Sequence, residues 1–236
     1  MDRWESANRR VRAEVRGVVI ADSLAPVLIW LRRYPTNYAV PREHVRMDLL
    51  REAVCEDDCQ WFDAELEGEV IERIGWVPQG VPELASHIVF DWTAVDRWLE
   101  EDEVVLGHPR DPYTRCDSIH STRHVQVRID GTLVADSTRS VMLFETGLPT
   151  RYYLPADDVR VDLLEPSTHT SFCPYKGRAS YHSVRVGEKV SENIVWYYRE
   201  PFDEVSKIRD LLAFYDEQVE VTIDGVVQPQ PASPWS

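Results

Sequence analysis

The chain has 236 residues, 43% of them hydrophobic, with eight Trp and ten Tyr; that is enough apolar surface for packed cores and more than a disordered chain carries. Asp and Glu outnumber Lys and Arg by 41 to 26, a formal charge of -15, so the average surface field repels phosphate backbones and anionic membrane faces, and neither nucleic acid nor membrane is an expected partner. No apolar run approaches the roughly 20 residues of a spanning helix, and the charged start Met1-Asp2-Arg3-Trp4-Glu5 has no apolar core behind it, so a cytoplasmic protein without a secretion signal is expected.

The first feature in chain order is a block that recurs. Residues 11 to 50 align without a gap on residues 125 to 164, with 15 of the 40 positions identical. The identities include Gly17/Gly131, Ala21-Asp22-Ser23/Ala135-Asp136-Ser137, Pro35-Thr36/Pro149-Thr150, Tyr38/Tyr152, Pro41/Pro155 and Asp48-Leu49-Leu50/Asp162-Leu163-Leu164. A repeat of this length marks a duplicated module. Cys55 and Cys59 then form a C-x3-C pair, with no second close pair or histidine pair to complete a tetrahedral metal site. Together with Cys116 and Cys173 they are too few and too scattered for a disulfide framework, so reduced thiols and no metal are expected. Trp76 precedes a Pro-led stretch of helical spacing that ends in Phe90, and Val95, Trp98 and Leu99 extend it toward Glu101. The Pro-containing segment from Gly107 to Arg123 reads as a connector.

In the second copy Val125, Val127 and Ile129 share one face, and Asp130-Gly131 turns the chain into Leu133-Val134, the pattern of a hairpin. Further strands are expected over Val141 to Phe144, Tyr152 to Leu154, Val159 to Leu163, Ser180 to Val186 and Ile194 to Tyr198, with Gly187-Glu188-Lys189 as a turn. With no long crossovers between them, the strands should be antiparallel. Val205, Ile208, Leu212 and Tyr215 recur at helical spacing behind Pro201 and Asp203, which predicts one amphipathic helix closing the module. The reading is a mainly β chain with one short helix per repeat, arranged as two tandem tent-like or barrel-like antiparallel modules. Residues 1–106 form a degenerate first copy, 107–124 a connector and 125–236 the second copy; a homodimer is the assembly to consider.

The copies differ in a concentrated way. Glu145, Thr146 and Gly147 stand opposite Leu31, Arg32 and Arg33, Arg151 opposite Asn37, and Tyr153 opposite Ala39, while Cys173-Pro174-Tyr175-Lys176-Gly177 has no counterpart. Positions shared by both copies serve the fold on this reading, so the Ala-Asp-Ser triplets are structural, with Asp22 and Asp136 bonding local backbone at a turn. Polar groups kept in one copy are candidates for a site.

The stretches Phe144-Glu145-Thr146-Gly147-Leu148-Pro149-Thr150-Arg151-Tyr152-Tyr153-Leu154-Pro155, Cys173 to Gly177 and Ala179-Ser180-Tyr181 resemble the family called domain of unknown function 427. The resemblance covers about Val125 to Asp216, and more weakly the first copy, as in tandem bacterial members. It implies a compact, β-rich, tent-like or barrel-like domain, and some classifications label the family a nucleotidyltransferase. The chain has neither a Gly-Ser pair followed by Asp-x-Asp nor a G-x4-G-K-[ST] loop, the usual devices for holding metal ions and phosphates. Where similar sequences carry Trp after Ala-Ser-Tyr, this chain has His182.

Aromatic walls with a few converging polar groups describe a small-molecule pocket, here with Tyr153, Tyr175, Tyr181, Trp196 and Tyr198 as walls. Arg151 would grip a carboxylate or phosphate, and Glu145 would act as a general base if burial raised its pKa. Lys176 would be an electrostatic anchor or an amine nucleophile. His182 is either a proton shuttle or a flat side chain filling a Trp-shaped space. The alternative for Glu145 and Arg151 is an ion pair with each other, and Trp196, matched by Trp76, also suits the core. Ser137, Ser180 and Ser183 lie in no nucleophile elbow, and His120, His124, His169 and His182 are not spaced as a metal set. Two functions fit: a cofactor-independent acid–base enzyme acting on a small polar metabolite by cyclisation, elimination or hydrolysis, or a non-catalytic module that binds a metabolite or a protein. Nucleotide handling is a third.

Overall fold

Two turns of the same chemistry anchor the architecture. Arg16-Gly17 and Asp130-Gly131 all take positive φ (52° and 76°, 47° and 77°), the conformation that lets a two-residue loop follow the twist of its flanking strands. The computed structural model describes residues 3–31, 36–56, 59–78 and 80–233. Pro35 and the expected counterparts Arg32 and Arg33 lie outside the described residues, as do Met1 and Asp2.

The chain divides at Arg110 and Asp111 into two units. The first holds strands β1 (Arg3–Ser6), β2 (Val11–Val15), β3 (Val18–Ser23), β4 (Val27–Trp30), β5 (Asn37–Pro41), β6 (Leu50–Glu56), β7 (Cys59–Leu66), β8 (Glu69–Pro78), β9 (His87–Phe90), β10 (Arg97–Glu100) and β11 (Glu103–Val105). The second holds β12 (Cys116–His120), β13 (Val125–Ile129), β14 (Thr132–Ser137), β15 (Val141–Glu145), β16 (Arg151–Tyr153), β17 (Leu164–Cys173), β18 (Gly177–Val186), β19 (Lys189–Tyr198), β20 (Ala213–Phe214), β21 (Glu220–Ile223) and β22 (Val226–Val227).

The repeat extends to the topology. The first unit has sheets ordered β1-β4-β5-β9-β8-β7-β6 and β11-β10-β2-β3. The second has β12-β15-β16, β17-β18-β19-β20 and β14-β13-β21-β22, the same order with the long sheet parted between β16 and β20. Where β5 and β9 pair over three residues, the second unit keeps one bridge, Leu154 with Leu212, whose two backbone hydrogen bonds are each 2.8 Å. The pairing is antiparallel, and no sheet among the described residues closes into a barrel.

Three expectations are corrected. Phe90 ends strand β9, and Trp98 and Leu99 lie in β10, so the first copy's helical pattern folds mainly as strands, with a short 3-10 turn at Pro82–Leu84. In the second copy the spacing from Val205 to Tyr215 gives a six-residue 3-10 segment, Asp203–Ile208, kinked at Val205, followed by β20. Asp210, in left-handed backbone at φ 57°, stops any continuation. Val159 to Leu163, expected as a strand, holds a single bridge at Val159 and a 3-10 turn. The segment 107–124 contains β12, which pairs with β15 just as β1 pairs with β4. No helix among the described residues is long and apolar enough to cross a membrane.

The triplets are scaffold through their serines. Ser137 Oγ donates to Asp158 (2.6 Å) and accepts the Arg139 N–H (3.0 Å), while Ser23 Oγ bonds His44 Nδ1 (2.8 Å) and accepts the Ala25 N–H (3.1 Å). Asp22 and Asp136 instead pair across the hairpin with Arg10 and His124.

Candidate functional site

Strand alternation decides which candidates meet, because side chains two residues apart share a face. On the second unit's long-sheet positions, Val141 and Leu143 of β15, Tyr153 of β16, Ala179 and Tyr181 of β18 and Trp196 and Tyr198 of β19 form one buried cluster. Each large side chain in such a core contributes about 2 kcal/mol of apolar burial. Glu145 and Arg151 continue the same alternation, so two charged groups enter an aromatic interior.

Each charge finds a partner there, though not the other. Glu145 is bonded by Lys176, with both side chains 10% exposed. Lys176 arrives on a loop the first copy lacks. In the first unit the β6–β7 pairing ends at Glu56 and Cys59, whereas β17 and β18 continue through Cys173 and Gly177. Gly177 closes that loop at φ 101°, where a Cβ would stand 3.1 Å from the Glu200 carbonyl oxygen. Cys116 lies opposite Glu145 in register; burial, helped by the Glu145 charge, pushes its thiol up to about 12. Burial lowers the Lys176 ammonium pKa, but the nearby Cys173 and Glu145 outweigh it and hold the amine above its ordinary value. An amine held above its ordinary value beside Glu145 favours the protonated form, the state suited to an electrostatic anchor.

The second charge cluster surrounds Arg151. Its fork donates to both carboxylate oxygens of Glu217 (2.8 and 2.6 Å), Asp216 lies 3.7 Å away, and the guanidinium stands 5.6 Å from the Trp196 ring centroid. The side chains of Arg151 and Glu217 are only 7% and 1% exposed. Burial raises Asp216 to about 7 against the pull of Arg151, whereas the bonds from Arg151 and Ser233 overcome burial and keep Glu217 below the usual carboxylate range. Two adjacent carboxylates with opposed shifts, one poised near neutrality, are an arrangement suited to proton transfer.

Aromatic groups connect the clusters. Trp196 Nε1–H donates to the Tyr153 hydroxyl (2.9 Å), the Tyr215 ring lies 4.6 Å from Trp196, and Tyr181 shares a hydrogen bond with Ser171 (2.7 Å). Burial drives the Tyr153 and Tyr198 phenols upward, so both stay protonated. The Tyr175 hydroxyl accepts the Asp111 N–H (2.7 Å), tying down the loop before β12.

His182 is not part of this assembly. It points to the opposite face from Tyr181 and stacks on Tyr197 (5.0 Å, 10° between planes). Asp216 and Glu217 were missed in the sequence because they follow the gapped part of the repeat, just after Phe214; aligning Phe90 with Phe214 sets Trp92 opposite Asp216. Among the described residues, no group of three or more His, Cys, Asp and Glu side chains is placed to hold a metal ion.

A family model described as a domain of unknown function (DUF427) matches residues 3–101 and again residues 117–225. No curated protein matches the chain.

Proposed function

From a chain that belongs to the DUF427 family in both of its copies, we propose that the second unit is a cofactor-independent acid–base catalyst acting on a small, anionic, polar metabolite. Asp216 is the proton-transfer group and Arg151 the anion holder, one edge of its fork passing from Glu217 to a substrate carboxylate or phosphate. Lys176 and Glu145 set the field behind them. The observation that carries this reading is the buried cluster itself: the Arg151 fork bonded to both oxygens of Glu217, with Asp216 3.7 Å away and raised by burial. A general acid or base works best with a pKa near the operating pH.

The test follows a pool of small organic acids by NMR in deuterated buffer, with the full chain and its Asp216→Asn variant. Consumption of one acid, or deuterium entering it, with loss of at least about 100-fold in the variant, is the expected result. Turnover that survives Asp216→Asn refutes the assignment. A second reading, a non-catalytic binding module, is favoured by the fact that Arg151 and Lys176 are both already neutralised by carboxylates. Thermal stabilisation by a ligand without product selects it. Because the family label refers to nucleotidyl transfer, ATP and GTP with magnesium belong in the same screen.

A further inference from the structure

The first unit closes a place that the second leaves open. On the other face of the first unit's long sheet the Arg42 guanidinium lies over the buried Phe62 ring, 5.5 Å from its centroid, and Nε of Arg42 is buried without a hydrogen-bond partner. The repeat places Ala156 opposite Arg42. The strand registers place His182 opposite Phe62, since Tyr181 pairs with Trp196 just as Trp61 pairs with Trp76. Arginine and phenylalanine thus become alanine and histidine. An open hollow of about 460 Å³ lies there, lined by Ala156, Leu164, His182, Tyr197, Arg199 and Asp210 among others.

The wall has a definite chemistry. His182 stacks on Tyr197, and Arg199 stands 5.7 Å from the Tyr197 centroid and donates to its hydroxyl (3.1 Å). Burial lowers the His182 ring's pKa against a backbone hydrogen bond with Glu165, so the imidazole is neutral at pH 7 and offers an uncharged ring to a stacking partner. Asp210 adds a carboxylate to the lining. The charged neighbours are engaged as well: Arg160 with Asp162, Arg185 with Glu165 and Asp158 with Arg139, while Asp210 acts on Arg199 within the lining.

We propose that this hollow is a binding site for a small guanidinium or amidinium compound, whose planar cation takes the place that Arg42 fills in the first unit. It stacks on the His182 ring and pairs with Asp210. A planar guanidinium can lie flat on the ring as Arg42 lies on Phe62 in the first unit, a contact that a compact, strongly hydrated ammonium group makes less well. The site is on the opposite sheet face from Asp216 and does not depend on the acid–base reading.

The test titrates the full chain with agmatine and, as an arm for the amino-acid form, with L-arginine, following the His182 ring signals by NMR; 1,4-diaminobutane is the ammonium control. Saturable shifts with agmatine or L-arginine, and affinity weaker by at least about tenfold for diaminobutane, are expected. Ala156→Arg copies the first unit's own residue, so the variant should fold, and it should abolish the shifts. Asp210→Asn, which suits the left-handed backbone there, should weaken binding about tenfold. No saturation by either guanidino compound, or undiminished binding in a folded Ala156→Arg variant, overturns the proposal.

Discussion

One sheet face, built twice in the same order, carries Ile29, Leu31, Ala39 and Trp76 in the first unit and Leu143, Glu145, Tyr153 and Trp196 in the second. The first version is an apolar core that also takes in Cys59, Leu84 and Val89. The second accepts a buried lysine–glutamate pair and a buried arginine with two carboxylates. The fold thus needs neither ion pair, since its sister forms without them. Buried ion pairs rarely stabilise more than apolar residues of the same volume. Their presence in one copy only is the asymmetry from which the proposed role of the second unit starts.

That comparison breaks most easily at Arg151. Arg151→Ala leaves Glu217 and Asp216 buried without a counter-charge and should cost about 3 to 5 kcal/mol. The matching Asn37→Ala removes bonds to the Phe90 carbonyl and the Tyr38 N–H, at about 1 to 2 kcal/mol. Urea midpoints of the full chain at pH 7 measure both, and equal losses would mean the two faces do not differ as described. Next, Lys176→Met alone should cost about 3 kcal/mol, whereas Lys176→Met combined with Glu145→Leu, which restores the residue found at Leu31, should return to within about 1 kcal/mol of the parent. A double variant no better than the single one would show that the pair is required by the fold.

Asp216 sharpens the comparison through pH. Its folded pKa of about 7 lies above the ordinary 3.8, so the folded state holds the proton more tightly. The associated stability is fully present below about pH 4 and is lost as the pH rises through 7. Asp216→Asn removes that loss and should stabilise the chain clearly at pH 8, by an amount no larger than about 4 kcal/mol, and by almost nothing at pH 4. A gain that is the same at both values would show that Asp216 does not titrate in this window.

What could be read from the residues, and what could not, follows the same physics. The hairpin of β13 and β14 is plain because one face alternates Val125, Val127 and Ile129 around a turn that requires positive φ. The closing helix misleads because Val205, Ile208, Leu212 and Tyr215 bury one side of two short elements with a left-handed Asp210 between them, and three- or four-residue spacing arises there without a helix. Strand β17 gives little signal: it is a sheet edge, holds Pro166 at a register shift, and is mostly exposed, so no alternation marks it. Of the site, the one-sided charges Glu145, Arg151 and Lys176 were visible, but the pairing of Lys176 with Glu145 and the carboxylates facing Arg151 were not. Glu217 is 66 residues from Arg151 and Lys176 is 31 from Glu145, distances at which only the fold decides who pairs.

The smallest effect concerns what the copies share. Ser23→Ala and Ser137→Ala each remove a hydroxyl that bonds a loop N–H two residues on and a side chain 21 residues on, His44 in one unit and Asp158 in the other. Each should cost about 1 kcal/mol, and the two should agree within about 0.5 kcal/mol, because Asp158 keeps Arg139 when the serine is gone. Denaturant midpoints settle it. If one substitution were silent and the other cost more than about 2 kcal/mol, the repeated triplet would no longer be a common scaffold device. Unshared residues such as Arg151 and Lys176 could then no longer be told from scaffold by comparing the two copies.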